Sequence, residues 1–215
     1  MFVLTKHITM RIFLISALLL SVSTMLSAQS HVENYDADIW KHRRAYKEEF
    51  LDHPRSPLGK NDTAFVDFFA PDHSWNLNAK VELTPNAPVF DLPTYSGQLR
   101  KYRQYALLQL EQKGQAFQLS MYQNITLMSD SAYTDYLFLP FTDLTNGETT
   151  YEGGRYLDFK IGDIHDGKIT IDFNKCYNPY CAYSDGYNCP VPPAENRLKM
   201  KISVGEKKFK KEKKH

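Results

Sequence analysis

From Ala64 onward, apolar residues return at every second position in short segments, and this alternation constrains the fold more than any other feature of the chain. "AFVDFF", "LNAKVEL", "KYRQYALLQL", "QAFQLSMYQ", "YLFLPF", "RYLDFKI", "KITIDF" and "LKMKISVGE" each read as a strand. In "KITIDFN", Ile169, Ile171 and Phe173 fall on one face and Thr170, Asp172 and Asn174 on the other. The connectors "EQKGQ" and "GDIHDG" are hairpin-like, whereas "TPNAPVFDLPTYSG" reads as a proline-marked loop. Ahead of the strands, Tyr35, Ile39, Tyr46 and Phe50 follow a helical spacing over 35–51, with Asp36 and Asp38 at the positive end. With no second helix between the strands, the pattern predicts an all-β (or β-rich α+β) fold. Its form is an antiparallel β barrel or sandwich preceded by one N-terminal amphipathic helix.

The first residues bear on compartment. Lys6 and Arg11 precede an apolar run from Ile12 to Leu26, and Ser27-Ala28 offers small residues for cleavage. Residues 1–28 therefore read as a signal peptide cleaved near Ala28, which makes the protein secreted or periplasmic. Ser16, Ser21, Ser23 and Thr24 interrupt the run, and no basic stop follows it, so it reads less well as a permanent anchor. No stable membrane insertion is expected after cleavage. Residues 29–206 read as a single β-rich domain, and 207–215, "KKFKKEKKH", as a basic, solvated C-terminal tail.

Charge narrows the partners. Without Lys6 and Arg11 the basic residues fall just short of the 25 acidic ones, and a quarter of those left lie in the tail. No basic face is in prospect, so nucleic acid is set aside. The chain also lacks a G-x-S-x-G elbow, an H-E-x-x-H helix and a phosphate loop. "NDT" at Asn61 and "NIT" at Asn124 match the glycosylation sequon, which matters only in a eukaryotic secretory route.

The segment "DFNKCYNPYCAYSDGYNCPVPPAENRL", 172–198, gathers all three cysteines of the chain. Together with "LFLPFTDLTNGETTYEGGRYLDF" and the closing "GEK", it resembles the C-terminal signature of a secreted family called domain of unknown function 1684. "EEFLDHPRSPLGKNDTAFVDFFAPDHSW" is similar to the family's N-terminal portion, while the middle, from about Val81 to Asn124, is looser. The resemblance implies a shared fold and assigns no reaction. It marks Asp143, Thr149, Tyr151, Arg155, Asp172, Asn174, Tyr177, Asn178, Cys181, Cys189, Glu195 and Asn196, and Cys176 departs from it where alanine is expected.

Weighed as residues, these positions leave alternatives open. Cys181 and Cys189 suit a disulfide in an exported chain; a free structural pair, a zinc site and a cysteine nucleophile with His165 compete with it, though C-x4-C-x7-C lacks a zinc knuckle. Arg155 follows "YEGG" and could grip an anion, or could form an internal salt bridge to Asp172 or Glu195. Asn174, Asn178 and Asn196 could equally satisfy loop backbone. Tyr177, Tyr180, Tyr183 and Tyr187 could stack a ligand or plug the end of the β structure. Pro190, Pro192 and Pro193 stiffen the segment into a lid.

The expectation is an exported envelope protein that binds a small polar or anionic molecule in a pocket closed by 172–198. Its ligand-binding residues would be Arg155, Asp143, Tyr151, Asp172, Asn174, Tyr177, Asn178, Glu195 and Asn196, with no cofactor and no metal. A hydrolase using Asp172 and Glu195 as its carboxylates is the alternative, and a structural or partner-binding envelope protein is the third.

Overall fold

The structure is a computed structural model in which residues 33–213 are described. The expected signal peptide and the last two residues of the tail lie outside them. Residues 33–52 are helical (α1), in agreement with the helix expected over 35–51. Two compact units meet at Lys41 and His42. Of the first, the described part, 33–41, is helix alone. In the second, Arg43, Tyr46 and Phe50 recur at helical spacing, and Phe50 packs among Leu58, Val66, Tyr151, Ala182, Tyr183 and Phe209.

Seven strands follow: β1 (Asn76–Leu83), β2 (Val89–Pro93), β3 (Leu99–Gln112), β4 (Gln115–Asn124), β5 (Tyr136–Phe141), β6 (Arg155–Lys160) and β7 (Lys168–Asp172). They form one antiparallel sheet in the order β6-β5-β4-β3-β1-β7, with β2 beside the first part of β3. The sheet curls into a half-barrel, so the expected antiparallel β architecture behind one helix holds, in its barrel form and open.

Local chemistry explains where strands form. Between β3 and β4, Lys113 and Gly114 both take positive φ (50° and 80°), the backbone of a two-residue hairpin turn, as "EQKGQ" predicts. "GDIHDG" contains a similar turn at Asp166-Gly167, but β6 and β7 occupy opposite ends of the sheet order, so it does not join paired strands. β2 forms inside the segment expected to be a loop. It pairs on one side with β3 over Val89–Pro93, and a proline is tolerated at the end of such a strand.

Two expected strands are absent from the sheet. "AFVDFF" supplies a 3-10 turn, Thr63–Phe65, and one isolated bridge, Phe68 to Glu206. "LKMKISVGE" keeps its alternation, with Leu198, Ile202, Val204 and Glu206 buried, yet makes no ladder. Its carbonyls at Ile202, Val204 and Glu206 accept instead from the Arg155 guanidinium. A side chain has replaced the neighbouring strand.

The described part of the tail does not behave as a solvated end. Phe209 is buried, Lys210 and Lys207 bond Asp67, Lys211 bonds Asp62, and Lys208 donates its backbone N–H to Thr149. One aromatic and a set of facing carboxylates on the body hold it down.

The two faces of the sheet carry different clusters. On one lie Ala106, Leu108, Leu110, Leu119, Met121, Leu137, Leu139, Phe141 and Leu157, joined by Ile202 and Val204. On the other, Tyr102, Tyr122, Phe138 and Tyr156 cluster with Leu92. Tyr102 and Ala106 are both even-numbered residues of β3 and yet serve opposite faces. A bulge between Gln104 and Ala106 inserts one residue and reverses the parity.

Candidate functional site

Three asparagines tie the 172–198 segment to its surroundings: Asn174, Asn178 and Asn196 are wholly buried, and each bonds backbone. Asn196 accepts from Ser120 N (2.7 Å) and donates to Ser120 O (2.8 Å) and Pro140 O (2.7 Å), the pairing a strand would offer. Asn174 does the same to Asp72, accepting from its N (2.8 Å) and donating to its O (2.9 Å). Asn178 donates to Lys207 O, and its own N–H is taken by Glu206. Asp172 caps the 3-10 turn Phe173–Lys175, accepting from the backbone and side chain of Asn174. A disulfide joins Cys181 to Cys189, with Cα atoms 6.2 Å apart, while Cys176 is a buried free thiol.

Arg155 has no exposed surface. Its Nη2 donates to Asp143 Oδ2 at 2.7 Å and to Ile202 O at 2.8 Å, and its Nη1 to Val204 O and Glu206 O. Asp143 Oδ1 is occupied by Thr145 and by the N–H of Ile202. The internal partner is thus Asp143, and the expected alternatives, Asp172 and Glu195, are bonded elsewhere. With four acceptors inside the protein, the guanidinium braces the C-terminal segment and has little left to offer an anion.

A second buried charge sits beside it. Glu206 receives Tyr183 OH (2.6 Å), Tyr46 OH (3.1 Å) and Asn178 N (2.8 Å), so one carboxyl fastens α1, the 172–198 segment and the C-terminal segment together. Burial pushes its pKa up to about 7, against the pull of those three donors.

The tyrosine-bearing face is different in kind. Asp158, on β6, is exposed to solvent and accepts from Tyr136 OH (2.7 Å) and Tyr177 OH (2.6 Å). Its pKa is nevertheless raised, chiefly because surrounding protein desolvates it, with the two hydroxyls pulling the other way. Tyr102 and Tyr156 also feel its charge, and burial first, then this charge among others, keeps Tyr136, Tyr156 and Tyr177 protonated as donors.

The rings form a connected wall. Tyr102 to Phe138 is 5.8 Å between centroids, Phe138 to Tyr156 is 4.7 Å, and Tyr156 to Tyr177 is 5.9 Å. Glu195, also exposed, accepts from Tyr122 OH at 2.7 Å in the same cluster. The 172–198 segment reaches this wall three times: Tyr177 pairs with Tyr156 through the backbone, Tyr156 OH donates to Pro190 O, and Glu195 meets Tyr122.

Of the nine expected binding residues, Tyr177 and Glu195 border this wall. Asp143, Arg155, Asp172, Asn174, Asn178 and Asn196 build the frame, and Tyr151 packs in the cluster with Phe50 and Tyr183. Asp172 and Glu195, the proposed hydrolytic pair, are hydrogen-bonded to different neighbours: Asn174 for the first, Tyr122 for the second. Asp158 was missed. Its signal is in "RYLDFK": an aspartate in mid-strand, on the same face as a tyrosine two residues before it, is unfavourable there without a reason.

An open, curled antiparallel half-barrel, crossed by a proline-rich and disulfide-pinned segment, defines the class. The family whose model matches residues 63–207 is described as "Protein of unknown function (DUF1684)", and the chain belongs to it. Among solved structures it is similar to the solution NMR structure of an uncharacterized protein of Haloarcula marismortui. That protein is 30% identical, with a TM-score of 0.63 over 83% of this chain and 96% of the other. No curated protein matches the chain. Among the described residues no helix is long and apolar enough to cross a membrane.

Proposed function

We propose that the protein is exported and binds a small polar molecule in the tyrosine-walled hollow around Asp158, which the 172–198 segment helps to close. The observation that carries this reading is the setting of Asp158: open to water, held by two tyrosine hydroxyls and paired across the strands with Phe138 of the aromatic cluster. Frame carboxylates such as Asp143 are instead sealed and fully paired. The anionic half of the earlier expectation rested on Arg155, which has no exposed surface and whose Nη1 and Nη2 donate internally, so a polar ligand is favoured over an anionic one. Export is supported by the signal-like run and by the Cys181–Cys189 bridge, a bond at home in oxidising compartments.

The test is ligand-observed NMR on the purified protein against mixtures of small sugars, amines and organic acids, repeated with Asp158→Asn and Tyr177→Phe. Binding that both substitutions weaken, in variants of unchanged circular dichroism, is the expected result. Binding indifferent to both substitutions, or none from any mixture, overturns the reading in favour of a structural or partner-binding protein.

A further inference from the structure

We propose that residues 207–213 form a salt-operated strap, which lifts from the body as one unit when ionic strength rises, leaves the body folded and uncovers the socket filled by Phe209. This device is independent of where a ligand sits. The kind of bonding changes at Glu206. Up to that residue the C-terminal segment is sealed: Ile202, Val204 and Glu206 are buried, and their carbonyls accept from Arg155, whose ion pair with Asp143 has no exposed surface. Beyond it, each lysine of 207–213 pairs with a carboxylate of the body. Lys207 and Lys210 meet Asp67 (3.3 and 2.7 Å), Lys208 meets Glu152 (3.5 Å), Lys211 meets Asp62 (2.9 Å) and Lys213 meets Asp185 (2.5 Å). Their lysine side chains are between 35% and 61% exposed, so salt screens these pairs while it leaves the sealed pair of Arg155 and Asp143 untouched.

Little else holds the strap. Phe209 is its one apolar anchor, edge-on to Tyr183 at 5.1 Å between centroids and packed among Phe50, Leu58, Val66, Tyr151 and Ala182. Three backbone N–H groups, of Lys207, Lys208 and Lys210, donate to Asp67, Thr149 and Phe65. One ring and three backbone bonds must offset the lost freedom of the whole stretch, so the charge pairs decide whether it lies down. The carboxylates come from three distant stretches, the approach to β1 (Asp62, Asp67), the turn before β6 (Glu152) and the 172–198 segment (Asp185). A closed strap clips these together, and an open one removes a fastening from the 172–198 segment, which supplies both Asp185 and Tyr183.

Amide hydrogen exchange, followed by NMR on the full chain at about 20 mM and about 500 mM NaCl, tests the strap. Relative to the free peptide 207–213, the N–H groups of Lys207, Lys208 and Lys210 should exchange at least about tenfold faster at the higher salt, while β3 and β4 keep their protection. Tenfold is about 1.4 kcal/mol, within reach of several weak surface pairs. Asp67→Asn, which removes the partner of two lysines, should open the strap already at low salt, and Phe209→Ala should open it at either. Strap protection that salt leaves unchanged, with only Phe209→Ala opening it, makes the ring and not the charges the fastening and overturns the proposal. Strap exchange that rises only together with that of β3 and β4 overturns the separate unit, and a strap unprotected at low salt overturns the closed state.

Discussion

The Arg155 guanidinium meets the Asp143 carboxylate at 2.7 Å with both side chains sealed from solvent. The same guanidinium takes three carbonyls of the C-terminal segment. An ion pair sits here in place of strand-to-strand bonding, and removing one partner strands the other in a medium that solvates it poorly.

Arg155→Leu should therefore destabilise the domain by about 3–5 kcal/mol, because Asp143 loses its counter-charge and three buried carbonyls lose a donor. Chemical denaturation gives the number. A change under about 1 kcal/mol would mean that the segment 202–206 is held by its apolar side chains alone.

Glu206 gives a pH dependence. Burial raises its pKa from 4.5 to about 7, so the folded state prefers the protonated form more than the unfolded chain does. Its contribution is fully present below about pH 4.5 and is lost as pH rises through about 7, a change on the order of 3 kcal/mol. The groups facing it, Tyr46, Tyr183 and Cys176, do not ionise in that window, since burial raises each of them. Melting temperatures of wild type and Glu206→Gln from pH 5 to 8 should diverge, the wild type losing ground as pH rises; parallel curves would refute the assignment.

The cysteines should be separable chemically. Non-reducing mass spectrometry is expected to show one bridge, Cys181–Cys189, and one thiol, Cys176, that alkylates only after unfolding. Burial keeps that thiol inert twice over, by excluding reagent and by pushing its pKa up to about 11. Reduction of the bridge should cost about 2.5 kcal/mol on the chain-entropy account of a loop this short. Rapid labelling of Cys176 in the folded protein would contradict its burial.

Asn196 tests whether the asparagines of the long segment are frame or site. Asn196→Ala leaves the N–H and C=O of Ser120 and the C=O of Pro140 without their partner, and should cost about 2–4 kcal/mol. Ligand binding at Asp158 should persist wherever the variant is still folded. A stable variant that has lost only binding would place Asn196 in the site instead.

Periodicity alone determined the antiparallel β body and the helix ahead of it, because alternation and the 3.6-residue repeat are local properties of a chain that must bury one face of each element. The concentration of cysteines, prolines and polar residues, not periodicity, located the segment 172–198 and its closable cysteine pair. Where the local pattern was ambiguous, contacts distant in sequence decided. "VFDLP" became β2 because β3 is long enough to pair beyond β1, and "LKMKISVGE" stayed out of the sheet because Arg155 took its carbonyls. The role of Arg155 itself was undecidable from "GGRY", for a guanidinium that grips a ligand and one that braces a core look alike until the partner is seen. Asp158 lay hidden for the same reason: Tyr102, Tyr136, Tyr156 and Tyr177 come from three strands and a loop. Only the curl of the sheet, with the bulge that reverses β3, brings the hydroxyls of Tyr136 and Tyr177 onto one carboxylate beside the Tyr102 and Tyr156 cluster.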